Sequence, residues 1–351
     1  MTDQIKQLID KAQRILIVQA DNPDGDSLGS ALALENILGA LGKDTYMYCG
    51  VDMPGYLRHL KGWDRVASEL PSNFDLSIFV DVSTMTLLEK LISSGKQGVI
   101  ASKPCIVLDH HGSVENEIPF ATVLLNDSAV SSTGELIFNL AKQLGWKLNP
   151  ESGGFIMSAI LGDTQGLTNS LAKPSTYRAM ADLADVGVDR PGLEELRRES
   201  SKMPPEIFKY KARLIDRAEF HADGKLAIVD VPHNEIMEFS PLYNPAPLIQ
   251  NDLLQTLGVG IAVVLKHYND GKILGAIRCN PGYRVGAELA EHFGGGGHPY
   301  ASGFKIQSGK PFSEIKMECI RIASELIAKL EQEKPDESRR NPKDYVYTTG
   351  D

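Results

Sequence analysis

A chain of 351 residues is long for one ordinary domain and comfortable for two. With 42% hydrophobic and 23% charged residues it has the balance of a globular protein, which excludes global disorder, a collagen-like repeat and a coiled-coil rod. Its 36 Lys and Arg against 46 Asp and Glu leave a formal charge of −10, the wrong sign for a long-duplex-DNA coat or an anionic-membrane binder. Small phosphorylated ligands stay admissible, because local charge or a bound metal can outweigh the net value.

Ile5, Leu8, Ile9 and Ala12 repeat at helical spacing and predict a short amphipathic helix first. ILIV (15–18) then reads as a buried strand running into the turn DNPDGD. SLGSALALENILGALG (27–42) predicts a helix with Asp26 or Ser27 as N-cap and Gly42 as its stop. The rhythm recurs in DLSIFVD (75–81) with a helix near 85–93, in CIVLDHH (105–111), and in ATVLLND (121–127) with a helix capped within Ser131 to Thr133. Helices over 152–163 and 175–187 close this part. Alternating strands and helices predict an α/β fold with a doubly wound, mostly parallel sheet over residues 1–190.

Residues 191–217 are charged and largely helical, broken by Pro204 and Pro205, and are expected to form a linker. Beyond them hairpins are expected, with turns at Ala222-Asp223-Gly224 and Asn269-Asp270-Gly271. A helix near 285–292, a glycine run, the strand GFKI and an amphipathic helix over 311–332 complete a smaller α/β domain, 218–332. The segment 333–351 reads as a solvated tail. Cys49, Cys105, Cys279 and Cys319 lie far apart with no CxxC pair, so a disulfide framework and a thiolate zinc site are both unexpected. The short apolar run near the start fits no signal peptide and no segment is long enough to span a membrane, so a cytoplasmic protein is expected.

The acidic residues fall where chemistry would be. Asp24 and Asp26 follow the first strand, Asp81 ends the strand 75–81, and Asp109-His110-His111 ends the strand 105–111. In a doubly wound sheet the loops beyond the carboxyl ends of the strands converge on one crevice. Asp163, in ILGDTQG, is a fifth candidate carboxylate. So many carboxylates in one crevice repel each other unless cations compensate, and oxygen ligands with one or two imidazoles suit Mn²⁺ or Mg²⁺. A pair of such ions can polarise a phosphoryl group and activate water. Taken singly, Asp24 and Asp26 could be turn formers or helix caps and Asp81 a cap; the joint arrangement favours a metal site.

NPDGDSLGSALAL (22–34), FVDVSTM (79–85), VLDHHGSVEN (107–116), DSAVSSTGE (127–135), GDTQGLTNSLAKPSTYRA (162–179) and FGGGGHPYASGF (293–304) together resemble the DHH phosphoesterase superfamily in its DHH/DHHA1 branch. Within it the likeness is to NrnA-type oligoribonucleases and pAp phosphatases. The resemblance implies a DHH catalytic domain followed by a DHHA1 substrate-binding domain. It assigns Asp24 to a first metal, Asp26 to a second, Asp81 as the bridge, and His110 and Asp163 to the second site. His111 would touch the scissile phosphate and Asp109 would orient the histidines. Gly294, Gly295, Gly296, Gly297 and His298 match the substrate-binding motif, and Arg278 stands where the family holds a nucleotide phosphate.

One position departs from the pattern. The family's first motif opens with a metal-ligating histidine four residues before the first aspartate, and here that residue is Ala20, flanked by Gln19 and Asp21. The first of two expected metal ions is therefore weakened, rebuilt from Asp21 or water, or absent. The expected activity is hydrolysis, by metal-activated water, of short oligoribonucleotides, linear or cyclic dinucleotides, or pAp. The rival, from another class, is a catalytically weak or inactive nucleotide-binding sensor. The sequence leaves open which nucleotide is preferred and whether the chain forms a homodimer.

Overall fold

The computed structural model describes residues 1–112, 117–240, 243–307 and 309–332. The expected tail, 333–351, and the last four residues of VLDHHGSVEN lie outside the described residues. The chain divides into two compact units, Met1–Lys202 and Met203 onward.

In the first unit the elements are α1 (Thr2–Lys11), β1 (Arg14–Val18), α2 (Gly25–Ala40), β2 (Asp44–Tyr48), β3 (Val66–Ala67) and β4 (Leu76–Val80). There follow α3 (Glu89–Ser93), α4 (Gln97–Ala101), β5 (Cys105–Asp109), β6 (Val123–Asn126), α5 (Thr133–Leu144), α6 (Pro150–Asp163), α7 (Pro174–Asp185) and α8 (Arg190–Ser200). The six strands are all parallel in the order β3-β2-β1-β4-β5-β6. The order reverses direction at β1, so the loops after β1 and β4 diverge and open a crevice between them.

Both faces of this sheet are covered, which is why its strands are apolar without alternation. Ile15 and Ile17 of β1 point into a core shared with α2, α5 and α6, and Leu16 and Val18 into a second core with Leu88, Leu91 and Ile100. Helix α2 is buried nearly all round because it lies between the sheet and α6. Close approach needs missing side chains. A Cβ at Gly29 would meet the Phe155 carbonyl and Ala159, and one at Gly134 would meet Ala159. These contacts draw the N-termini of α2 and α5 and the C-terminus of α6 together, with each buried leucine of α2 contributing about 2 kcal/mol.

The second unit holds α9 (Pro205–Asp216), β7 (Glu219–His221), β8 (Leu226–Pro232), α10 (His233–Phe239), α11 (Pro245–Leu254), β9 (Ile261–His267) and β10 (Lys272–Cys279). It ends with α12 (Gly286–His292), β11 (Gly296–His298), β12 (Ala301–Gln307) and α13 (Phe312–Gln332). Its sheet runs β11-β12-β10-β9-β8-β7, antiparallel except where β8 pairs with β9. Both expected hairpins form, and their turns use positive φ at Ala222, Asp223, Gly224 and Gly271. The stretch 191–217 is divided: α8 belongs to the first unit and α9, which buries Ile207, Tyr210 and Leu214, to the second. Sequence reading passed over β2, whose first three residues are wholly or partly exposed, over the two-residue β3, and over α10 and α11. It also gave the cap of α2 to Asp26 or Ser27, whereas Asp24 is the N-cap.

Candidate active site

The turn after β1 places two aspartates in different situations. Asp24 caps α2, its Oδ1 accepting from the backbone N–H groups of Asp26 and Ser27 at 3.0 Å each. Asp26, two residues on in the first turn of α2, is fully buried. Its Oδ2 accepts from the Thr133 N–H at 2.6 Å, and its Oδ1 from the Gly134 N–H at 2.9 Å and the Ser30 hydroxyl at 3.0 Å. The carboxylate thus sits on the N-terminus of α5, where free N–H groups and the helix dipole favour negative charge. Burial and the neighbouring Asp163 nevertheless push Asp26 up to about 6, against His110 and those backbone donors.

Asp81 follows β4 with φ +59°, a left-handed conformation that a non-glycine residue adopts at a cost of about 1 kcal/mol. Its N–H donates to the Leu108 carbonyl, and its Oδ1 accepts from the Thr133 hydroxyl at 3.3 Å. Desolvation by burial, then Asp26, Asp24, Asp163 and Asp109, push its carboxyl well above the usual range. Backbone strain here delivers a carboxylate into a place where carboxylates already crowd.

Asp109 ends β5 and organises the histidines. Its Oδ1 accepts from the His110 N–H at 2.9 Å and the His111 Nδ1–H at 2.8 Å, and its Oδ2 from the Ser83 hydroxyl at 2.5 Å. Burial pushes Asp109 up, but the hydrogen bonds from His111 and Ser83 outweigh it and hold the group below the usual range. His111 is 55% exposed, with its pKa raised first by the Asp109 hydrogen bond. With Nδ1 committed to Asp109, Nε2 is the nitrogen left to meet a substrate.

His110 is buried, and its Nε2 lies 2.9 Å from Asp163 Oδ2, 3.6 Å from Asp26 Oδ2 and 3.8 Å from Asp81 Oδ1. None of these approaches has hydrogen-bond alignment, so Nε2 is a buried nitrogen without a partner. Desolvation lowers the His110 pKa, and the Asp163 and Asp26 carboxylates more than reverse it. An unaligned imidazole nitrogen converging with carboxylate oxygens is the donor set of a divalent cation. Two groups converge in this way among the described residues: Asp26, His110 and Asp163, and Asp81, His110 and His111. The residues fit a metal. Asp24 belongs to neither group.

The structure also shows what became of the first motif. Ala20 is 4% exposed and packed in the apolar cluster with Val18, Tyr48, Val82 and Leu88, its carbonyl accepting from Cys49 Sγ at 3.2 Å. Asp21 does not replace a ligand there. Its Oδ2 accepts from the Lys90 N–H at 2.7 Å, and its Oδ1 is buried without a partner beside Gly50. Gln19 is fully buried, its Oε1 3.5 Å from the Ser27 hydroxyl and its Nε2 unpartnered.

In the second unit, register aligns the expected substrate residues. Arg278 on β10 pairs with Ala301 on β12, which pairs with His298 on β11, so Arg278 and His298 occupy one row of the sheet two strands apart. The glycine run is no plain loop. Gly294 and Gly297 have φ +71° and +132°, and a Cβ at Gly295 would collide with the Gly303 carbonyl and Phe304. Gly296 has open space around it. Sequence reasoning missed Thr133 and Ser83, whose hydroxyls hold Asp81 and Asp109; SSTGE signalled only a helix cap.

A parallel sheet of this order, with aspartates and paired histidines beyond its strand ends, is an α/β scaffold that gathers a candidate metal-binding crevice. Residues 14–160 match the DHH family, N-terminal domain, and residues 245–329 match the DHHA1 domain. It is 27% identical over 300 residues to the bifunctional oligoribonuclease and PAP phosphatase NrnA of Thermus thermophilus, covering 84% of each chain. It is 26% identical over 314 residues to the cyclic-di-AMP phosphodiesterase GdpP of Geobacillus thermodenitrificans, covering 84% of this chain and 45% of that one. In fold it is similar to an exopolyphosphatase-related protein from Bacteroides fragilis, at TM-score 0.81 and 20% identity, over 94% of this chain and 97% of the other. No helix among the described residues is long and apolar enough to cross a membrane.

Proposed function

We propose that this chain is a divalent-metal-dependent phosphoesterase of short nucleotides: short oligoribonucleotides, linear or cyclic dinucleotides, or pAp. The observation that carries the reading is the unpartnered, buried Nε2 of His110 converging with the carboxylates of Asp26, Asp81 and Asp163. Those four residues would hold one cation, and Asp24 and Asp81 a second, weaker one for want of a ligand at Ala20. When bound, a divalent cation, Mn²⁺ or Mg²⁺, supplies Lewis-acid polarisation of a phosphoryl oxygen and acidifies water.

The protein side chains do the rest. Asp109 fixes the His111 ring through Nδ1, so that Nε2 faces the substrate and holds a phosphate oxygen or moves a proton to the leaving oxygen. The α5 N-terminus keeps Asp26 in place through two backbone donors. In the second unit Arg278, His298 and the glycines 294–297 would grip the nucleotide, the guanidinium supplying paired donors to a phosphate. Relatives named for short RNA, pAp and a cyclic dinucleotide support a small nucleotide substrate.

A screen of Mn²⁺- and Mg²⁺-dependent hydrolysis across a bis-aryl phosphodiester, short RNA, pAp and cyclic dinucleotides tests this reading. Turnover that a chelator abolishes is the expected result. Nucleotide binding without hydrolysis of any of them, with either metal, replaces the enzyme by the sensor that Ala20 alone would favour.

A further inference from the structure

The carboxylates and histidines of the crevice do not offer two equal places for a cation. Asp26, His110 and Asp163 converge with side-chain exposures of 0%, 8% and 17%, around the unpartnered Nε2 of His110. Two backbone N–H groups of α5 already fix the Asp26 carboxylate. A cation arriving there meets donors that need little reordering.

Around Asp24 the protein offers much less. Asp24 stands in neither converging group, and its Oδ1 is engaged as the cap of α2, accepting from the N–H groups of Asp26 and Ser27. Four residues earlier the Ala20 methyl is packed among Val18, Tyr48 and Leu88, and Asp21 is bonded to the Lys90 N–H. Of the residues assigned to a second cation, only Asp24 and Asp81 remain. Asp24 is also exposed, and with Asp163 it lines an open cavity of about 610 Å³ within the first unit. The free side of Asp24 therefore faces space that a phosphate can enter. A hard octahedral cation sheds its water reluctantly, and one or two carboxylates hold it well only when phosphate oxygens of a substrate join them.

We propose that the crevice keeps one resident cation, on Asp26, His110, Asp163 and Asp81, and holds a second at Asp24 only together with a phosphate, whose oxygen takes the place left open by Ala20. The proposal rests on the phosphoesterase reading for the presence of phosphate in the crevice, and deepens it by making the second cation a co-ligand of the nucleotide. Linkage makes the effect mutual: phosphate tightens the second cation, and the second cation tightens phosphate, by the same factor. Occupancy at Asp24 then follows the free divalent-cation concentration, which regulates the site.

Mn²⁺ binding to the chelator-stripped full chain, followed by the paramagnetic resonance of the free ion with and without inorganic phosphate, tests it; a protein-free titration corrects for pairing of Mn²⁺ with phosphate. Without phosphate one Mn²⁺ per chain is expected to bind tightly and a second weakly. Phosphate should tighten the second about tenfold and leave the first unchanged. In Asp24→Asn the phosphate-dependent ion should be lost while the first stays; asparagine caps a helix as well as aspartate, so the α2 N-terminus is kept. Ala20→His should hold the second ion without phosphate. Two equally tight ions in the absence of phosphate overturn the proposal. So does a second ion indifferent to phosphate, or a phosphate-dependent ion that survives Asp24→Asn. Inorganic phosphate has no ester to hydrolyse, so failure of the phosphoesterase reading is seen separately, in nucleotides that stay intact with metal present, and would leave these affinities as they are.

Discussion

Where α5 and the ends of β4 and β5 meet the crevice the carboxylates are held, whereas immediately after β1, at Ala20 and Asp21, the chain turns its polar groups aside. Asp26 is gripped by two N–H groups of α5, Asp81 by the Thr133 hydroxyl, and Asp109 by Ser83 and His111. Three residues upstream of Pro23, Ala20 is buried among apolar side chains, and Asp21 is tied to the Lys90 N–H. The difference is preorganisation. Fixed ligands need little reordering when a cation arrives, while a missing one must be supplied by water at lower affinity. The two ends should therefore respond unequally to mutation, and the experiments below set one against the other.

The largest effect is expected from Asp81→Asn. Asparagine accepts positive φ as readily as aspartate, so the backbone at +59° should survive while the anionic oxygen is lost. Turnover should fall by roughly 10³-fold and bound Mn²⁺ per chain should drop. Full activity would break the assignment of Asp81 as the carboxylate shared by the two cations.

Next come the two histidines. His110→Ala should reduce metal content, because its Nε2 is the nitrogen facing the carboxylates. His111→Ala should leave metal content nearly intact and lower kcat by about 10²-fold, because its Nδ1 is already committed to Asp109. Elemental analysis beside single-turnover kinetics separates them. Equal metal loss in both would show that the roles are divided wrongly.

Ala20→His probes the weaker end. A second Mn²⁺ should bind about tenfold more tightly, visible in titration as a gain at limiting metal and little change at saturation. The ring must also enter a packed apolar cluster, so the melting temperature should fall by the equivalent of about 1 kcal/mol. Unaltered metal stoichiometry with a lowered melting temperature would mean the first ion is completed by something other than residue 20.

The smallest expected effect is the pH dependence of the metal-free fold. Asp26 is pushed from 3.8 up to about 6. A carboxyl raised in the native state contributes its stability below its unfolded value and loses it as pH climbs through the native one. His110, raised from 6.5 by its carboxylate neighbours, likewise loses its contribution at higher pH. Asp109 is held low and gives a constant contribution above its unfolded value, so it leaves this window alone. Metal-free protein should then melt about 3 °C lower at pH 8 than at pH 5. Saturating Mn²⁺ should remove the decline, since the cation replaces the protons. A metal-free melting temperature that rises over that interval would contradict the crowding of carboxylates.

Much of this was legible before any coordinates. ILIV, DLSIFVD, CIVLDHH and ATVLLND name four of the six parallel strands, because strands buried on both faces must be apolar throughout. Strand β2, DTYMY, escaped notice because it is half exposed near the sheet edge, where burial imposes no pattern. Asp26, Asp81 and Asp163, singled out in the sequence together with His110, lie 2.9 to 3.8 Å from His110 Nε2. Asp81 and His110 are there because strand ends converge, Asp26 and Asp163 because they lie at the helix ends beside that crevice.

What the sequence by itself determined was the set of reactive groups and the kind of scaffold that gathers them, for both follow from local periodicity and from residue chemistry along the chain. What only the tertiary structure decided were contacts between segments far apart in sequence. Thr133 supports Asp26 and Asp81 across 107 and 52 residues, and α8 turns its arginines into the wall of a cavity beside Asp24 and Asp163. The same holds for the fate of Asp21, a flanking residue that could have replaced the absent histidine and instead bonds to Lys90. Direction of a side chain after a strand depends on which neighbours bury it, and those neighbours are assembled only when the sheet and its covering helices close around them.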